Sequence, residues 1–405
     1  MKWFTNSLRR LCVLVVGIVF FVAGTLKLMD PVGAGLVVES YFHFFHTGFL
    51  DFAAKPLGVV LALLEALLGA ALIARIFRRP AAILTAGLTV FFTIITLILA
   101  IANPVMDCGC FGEAVHLSHF QTFVKNIVLL LLEAAAFLPV RVLSDKEEKA
   151  HPFAFAGGCT AIVLLTVYSL LFIPLRDFTP FRISSRLYES VAGIAGTAEE
   201  YESVFIYGKD GEERVFTLEE LPDSTWTYLR TETELVSAPK EEYPMLVLTD
   251  ADGQTCDSLA IGNTVMAVSV YRPDKMSVRR WTKVGEFLGN AAREGFTPLL
   301  LTASAPEQFS LPDGIPDDAR QSLQFSLYFS DYKTLASLNR SNGGVTYFHD
   351  GTLISKWSYR RCPDERRLEK LAATHPTETE LDASARSRQL FWGWYLAAFA
   401  LLLLL

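Results

Sequence analysis

Long apolar runs constrain this chain more than any other feature. They lie at about 11–29, 57–76, 81–102, 122–142 and 153–174, and a sixth, "QLFWGWYLAAFALLLLL", runs from 389 to the end. A hydrocarbon core of about 30 Å is crossed by roughly 20 apolar residues in a helix. The chain therefore reads as an α-helical integral membrane protein, with membrane lipid as its first partner. Residues 176–387 are hydrophilic and form the water-facing part. With 20% charged residues, a net charge of −7 and no long basic run, nucleic acid is not an expected partner.

Lysine and arginine in short loops set the orientation. Lys2, Arg9 and Arg10 precede the first run, Arg75, Arg78 and Arg79 fill the turn after the second, and Arg141, Lys146 and Lys149 follow the fourth. These regions alternate with loops 30–55 and 103–121, which hold few cations. The N-terminus is expected in the cytoplasm of a bacterial cell, with loop 103–121 and residues 176–387 on the periplasmic side of the inner membrane. A cleaved leader is set aside, since "LMDPVGAG" is a poor cleavage site and later runs would anchor the chain anyway. Loop 30–55 is too polar to span yet rich in phenylalanine, which predicts a place at the headgroups; His43 and His46 there read as interfacial side chains.

The hydrophilic part divides by pattern. Residues 176–260 form a β-rich segment: "SVFIYGKDGEERVFTL" alternates about a Lys-Asp-Gly turn, and "MLVLTDADG" ends in another. Residues 261–372 run strand, helix, strand ("TVMAVSVY", "SVRRWTKVGEFLGNAAREG", "TPLLLTAS"), then a helix in "SDYKTLASLN" and a hairpin turning on Asp350-Gly351. That order resembles the thioredoxin-like α/β fold. The resemblance implies cysteines between the first strand and its helix, where "YRPDKMS" has none, and a proline before the hairpin, where Gly343-Gly344 stand. The implied domain is a degenerate, docking form. Residues 373–405 are a linker and C-terminal span.

"DCGCFGE" at 107–113 carries the chemistry. Cys108 and Cys110 flank Gly109, and a disulfide closed across one residue is a small strained ring, hence exchangeable. Asp107 and Glu113 oppose thiolate formation, while Lys125, about a turn into the fourth run, could favour it. Three readings stay open: a redox pair exchanging with a periplasmic client, a metal site made by Cys108, Cys110, His116 and His119, and a tight structural loop. Cys12 and Cys159 lie in apolar runs as packing residues; Cys256 and Cys362 lie outside, where a disulfide between them is an open question.

"FFVAGTLKLMDP", "LLEALLGAALI", "MDCGCFGE" and "TFVKNIVLLL" resemble the DoxX/MauE-like family of redox-associated membrane proteins. The resemblance covers residues 1–142 as a four-helix membrane domain, followed at 143–175 by a fifth transmembrane helix, as in a long form with a thioredoxin-like domain. It implies a role in disulfide or electron transfer at the membrane, such as maturation of a disulfide-rich periplasmic enzyme.

Glu65 and Glu133 fall near the middle of the second and fourth runs. A charge at the bilayer centre costs a few kcal/mol, so both are expected to face the bundle interior. With no lysine at their level both would be neutral, serving as interhelical hydrogen-bond partners or as a proton route or quinone-binding wall for the thiols. Lys27, near Asp30, is expected to snorkel to the surface.

Overall fold

The computed structural model describes residues 2–104, 109–115, 117–138, 152–187, 200–209, 212–216, 226–237, 246–262 and 264–403. The first part is helical: α1 (Lys2–Met29), α2 (Pro31–Phe44), α3 (Asp51–Ile73), α4 (Arg78–Ala102), a short strand β1 (Cys110–Glu113), α5 (His119–Phe137) and α6 (Pro152–Leu171). Four stretches are long and apolar enough to cross a membrane, namely Ser7–Met29, Gly48–Ile73, Arg78–Ala102 and His119–Phe137. The protein is a multi-pass membrane protein. Helix α6 contributes a shorter apolar piece, Phe155–Leu171. Ile83, Ile94, Ile101 and Leu131 point outward from the bundle, the reverse of a water-soluble one.

Small residues bring α1 and α3 together. A Cβ on Gly24 would lie 2.4 Å from the Ala66 nitrogen, and one on Gly69 would lie 2.3 Å from that of Phe21. Backbones that close are held by dispersion, which replaces the hydrophobic drive missing in lipid. The face that carries Gly17 and Gly24 carries Lys27 one turn on, and the face with Ala62, Ala66 and Gly69 carries Glu65. Both charges are thereby turned inward.

Helix α2 lies in the segment expected to rest at the headgroups. Asp30 caps it by accepting the Gly33 N–H at 2.9 Å, and Pro31 occupies the first helical position. Phe49 and Phe52, after it, are each 78% exposed.

The hydrophilic part holds two sheets. Strands β2 (Glu200–Lys209), β3 (Glu212–Phe216) and β4 (Thr227–Ser237) pair antiparallel in the order β3-β2-β4. The second part runs β5 (Thr264–Val270), α7 (Val278–Arg293), β6 (Thr297–Thr302), α8 (Asp317–Phe325), β7 (Leu327–Phe329), α9 (Tyr332–Leu338), β8 (Gly344–His349), β9 (Thr352–Trp357) and α10 (Glu365–Ala373). Its five strands lie in the order β7-β6-β5-β8-β9, with β5, β6 and β7 parallel and β8 and β9 antiparallel. Asp350 and Gly351 both take positive φ, 47° and 72°, as a two-residue hairpin loop requires.

Alternation along β5 builds two cores. Met266, Val268 and Val270 join Trp281, Leu300 and Tyr347 on one face, and Val265 and Ala267 join Leu299, Leu335 and Phe348 on the other. Val32 and Leu36 of α2 pack against the second core, so the α/β part is seated on the membrane bundle. A buried ion pair pins the junction: the Arg340 guanidinium reaches Asp30 Oδ2 through Nε at 2.9 Å and Nη2 at 2.8 Å. The chain returns through α11 (Pro376–Leu403), whose Phe391, Tyr395 and Ala398 join Phe21, Leu28 and Ile162 in one apolar cluster. The last apolar run is thus the second half of one long helix.

Candidate functional site

The site is built around the loop that joins α4 to α5. Helix α4 stops at Asn103, whose φ of 43° is left-handed, and Pro104 prevents its resumption. Gly109 at φ +62° turns the chain back, and a Cβ there would fall 2.3 Å from Val37 Cγ1 on α2. Glycine is therefore required twice over between the two thiols. The Gly112 N–H donates to the Gly109 carbonyl at 3.1 Å, which closes a tight turn over Cys110 and Phe111. At the far end Ser118 and Gln121 form a capping box on α5, and the His119 ring (Nε2) bonds the Pro104 carbonyl at 3.0 Å. Loop entry and exit are thereby tied together.

Cys110 is half-buried and lines a cavity of about 510 Å³ inside the bundle. Helices α1 to α5 all contribute to its wall. Phe20, Tyr41, Phe42 and Phe92 make it largely apolar, and the polar groups are few and convergent. Lys27 Nζ donates to both Glu65 oxygens, at 2.7 and 2.8 Å, and lies 5.5 Å from the Phe92 ring centroid. Lys125 Nζ sits 4.9 Å from the centroid of Phe111, the residue after Cys110. Asn126 donates to the Thr96 hydroxyl at 3.2 Å.

These positions correct two expectations. Lys27 does not snorkel: its side chain is 13% exposed and bound to Glu65, which is 4% exposed. Glu65 accordingly has a lysine at its level and is one half of an ion pair. The reason is the small-residue stripe, which turns both side chains into the same interior. Glu133 has no such partner among the described residues. Thr89 Oγ1 lies 2.7 Å from Glu133 Oε1 and 3.0 Å from the Thr85 carbonyl, while Oε2 is buried without a hydrogen bond. Glu133 stands behind Thr89 and is not among the residues lining the cavity, so the two glutamates do not form one wall.

Of the other candidates, Lys125 lies against Phe111 of the thiol loop. Cys108, Asp107 and His116 lie outside the described residues. Of the four residues in the metal reading, Cys110 and His119 are described, and His119 has one ring nitrogen engaged by Pro104. A different group, Glu39, His43 and Asp51, brings one ligand atom each within 4.8 Å of the others, with His43 bonded to Asp51 at 3.1 Å. Cys256 and Cys362 are both free and pack against opposite cores of the five-stranded sheet, which answers the question of their pairing.

Burial pushes the Cys362 thiol up to about 12, against a weaker pull from Lys283. The same cause lifts the Tyr347 hydroxyl to about 12, and burial with the neighbouring Tyr332 does so for Tyr271. Each is an acid whose folded pKa is raised, so its stabilising effect is whole below the unfolded value and disappears as pH climbs through the folded one. We expect the α/β part to lose resistance to urea above about pH 9, the ordinary range for a thiol. Iodoacetamide should modify Cys362 at pH 7.5 only after unfolding. Unchanged stability from pH 8 to 11, or ready labelling of the native protein, would contradict this.

The loop after β5 carries no cysteine. Here the Arg272 N–H donates to Asn342 Oδ1 at 3.0 Å and Asn342 Nδ2 to the Arg272 carbonyl at 2.9 Å. Arg272 donates onward to the Tyr332 hydroxyl at 3.2 Å. The loop faces α2 and α3 across a cavity of about 230 Å³ bounded by Leu36, Glu39 and Lys55.

Residues 2–140, about a third of the chain, match the family described as methylamine utilisation protein MauE. Residues 201–238 match a domain of unknown function (DUF8463). No curated protein and no solved structure matches the chain.

Proposed function

We propose that Cys108 and Cys110 cycle between dithiol and disulfide at the periplasmic face of a bacterial inner membrane, exchanging electrons with a periplasmic protein client. The observation that carries this reading is the place of Cys110. It lies on a tight glycine turn at the head of an intramembrane cavity, with the Lys27–Glu65 pair and Lys125 lining the same space. A thiolate from the client attacks one loop sulfur, the loop S–S bond breaks, and a mixed disulfide forms. The client's second thiolate then displaces the loop sulfur. The client leaves oxidised and the loop leaves as a dithiol, so two electrons have moved inward.

The five-stranded sheet supports a thioredoxin-like reading of the α/β part: a parallel β5-α7-β6 unit is followed by an antiparallel closing hairpin. It carries no thiol at the loop after β5, and that loop faces α2. Its role here is to position a client over the thiol loop. The family description suggests that such a client belongs to methylamine utilisation. A second reading, a membrane anchor or assembly factor without thiol chemistry, draws on the same packed loop, since a domain fixed to α2 can serve as a rigid platform.

Trapping separates the two. In cells carrying Cys110→Ala, a mixed disulfide through Cys108 should appear on a non-reducing gel after acid quenching. If neither this variant nor Cys108→Ala traps a partner, and the double Cys→Ser variant supports growth as well as the wild type, the anchor reading holds.

A further inference from the structure

We infer that a second cavity, of about 350 Å³ and separate from the one beside Cys110, binds the phosphodiester headgroup of a membrane glycerophospholipid. It lies where the α/β part meets helices α6 and α11, and it is independent of the thiol chemistry proposed above. Both helices change character at the level of this cavity. The apolar run of α6 ends at Leu171 and the chain soon reaches Arg176, while on α11 Arg386 and Arg388 give way to the apolar stretch that starts at Leu390. The Ser387 hydroxyl donates to the Leu175 carbonyl at 2.8 Å and so holds the two transitions side by side.

Four cations converge there: Arg361, Arg367, Lys370 and Arg386. None of their side chains donates a hydrogen bond to a described residue or forms an ion pair with one. The Arg361 guanidinium lies 4.0 Å from the ring centroid of Phe172, and that of Arg367 lies 5.6 Å from the Trp357 ring. Stacking of this kind orients the guanidinium plane and leaves its N–H fork to an anion. The four cations face two lining carboxylates, Glu378 and Asp382, so positive charge is in excess. The other lining ions are already paired, Lys356 with Asp177 and Arg340 with Asp30.

The apolar part of the lining identifies the source of the phosphate. It comes from the membrane side, from Tyr168, Phe172 and Leu390. Leu390 is 45% exposed, and Trp392 and Leu396, further along α11, are exposed at 57% and 69%. Apolar side chains turned outward from a membrane bundle face hydrocarbon, so the cavity opens toward lipid. A free phosphate or an acidic peptide would use the cations and leave the apolar lining bare. A glycerophospholipid uses both, with its acyl chains along α6 and α11 and its phosphate among the guanidinium and ammonium groups, as basic pockets between membrane helices accept headgroups.

Native mass spectrometry of the full-length protein, stripped of lipid in a neutral detergent, tests this directly. Phosphatidylglycerol and phosphatidylethanolamine should be retained about tenfold or more better than diacylglycerol with the same chains, which lacks the phosphodiester. Lys370→Glu/Arg386→Glu reverses two of the cations and should lower retention by about tenfold or more. Arg279→Glu/Lys333→Glu makes the same change of charge at exposed positions outside the cavity and should retain the lipid as the wild type does. Photolabelling of the wild type in nanodiscs, with phosphatidylglycerol carrying a diazirine in an acyl chain, requires no variant to fold and should place adducts on Tyr168, Phe172 or Leu390. Equal retention of diacylglycerol, undiminished retention by Lys370→Glu/Arg386→Glu, or adducts confined to α1–α5 would overturn the site. Glycerol 3-phosphate or a hexaglutamate peptide bound as tightly as the phospholipid would overturn the lipid as its occupant.

Discussion

Lys27→Met should destabilise the membrane bundle by about 3–5 kcal/mol, because it leaves the Glu65 carboxylate buried without its counter-charge. The pair is made of one ammonium touching both carboxylate oxygens, at 2.7 and 2.8 Å, in a site from which water is nearly excluded. Removing one member removes the attraction but keeps the desolvation of the other. Replacing both, as in Lys27→Met/Glu65→Leu, removes the desolvation too and should recover most of the loss. Unfolding in mixed detergent micelles measures all three proteins against the wild type. Equal losses in the single and double variants would show that the two side chains are energetically independent. The double variant also carries functional information: folded but lacking the polar end of the cavity that Cys110 lines, it should change the alkylation rate of Cys110 in the reduced protein.

The pair also marks where the sequence could be read and where it could not. Helix lengths follow from apolar runs, and the parallel β5-α7-β6 unit and the hairpin turning on Asp350-Gly351 follow from two buried apolar strands around an amphipathic helix and an Asp-Gly turn. Glu65 was expected to face the interior. Its partner was missed because Lys27 was weighed by its distance along the chain from the membrane surface, not by its face on the helix. The stripe of Gly17 and Gly24 on the same face was the available signal. Helix α2 was missed for a similar reason: polar residues scattered among phenylalanines obscured an Asp-Pro start that is a strong helix opening. Strand β7 and helix α8 lie in a stretch with weak periodicity, and tertiary pairing with β6 orders them. The cavity could not be seen at all, since it is assembled from five helices and one loop whose contacts are set by packing.

Arg340→Ala is expected to release the α/β part from the bundle. Arg340 is 3% exposed and Asp30 9%, and the guanidinium also donates to the Ala336 carbonyl at 3.0 Å. Without it a buried carboxylate is left unpaired at the start of α2, a loss of about 3–5 kcal/mol. Asp30→Asn separates the two duties of that carboxylate. Asparagine caps a helix about as well as aspartate, so α2 should persist while the ion pair is lost, whereas Asp30→Ala adds about 1 kcal/mol for the missing cap. Release can be followed by a crosslink between cysteines introduced at Val32 and at a facing residue of α9, in a background that keeps Cys108 and Cys110. Helix α2 has the junction on one side and the thiol loop on the other, where Val37 abuts Gly109. Loosening the junction should therefore quicken alkylation of Cys110 in the reduced protein. If the crosslink is lost and the labelling rate stays unchanged, α2 does not couple the two parts, and a client bound to the α/β part has no route through α2 to the thiols.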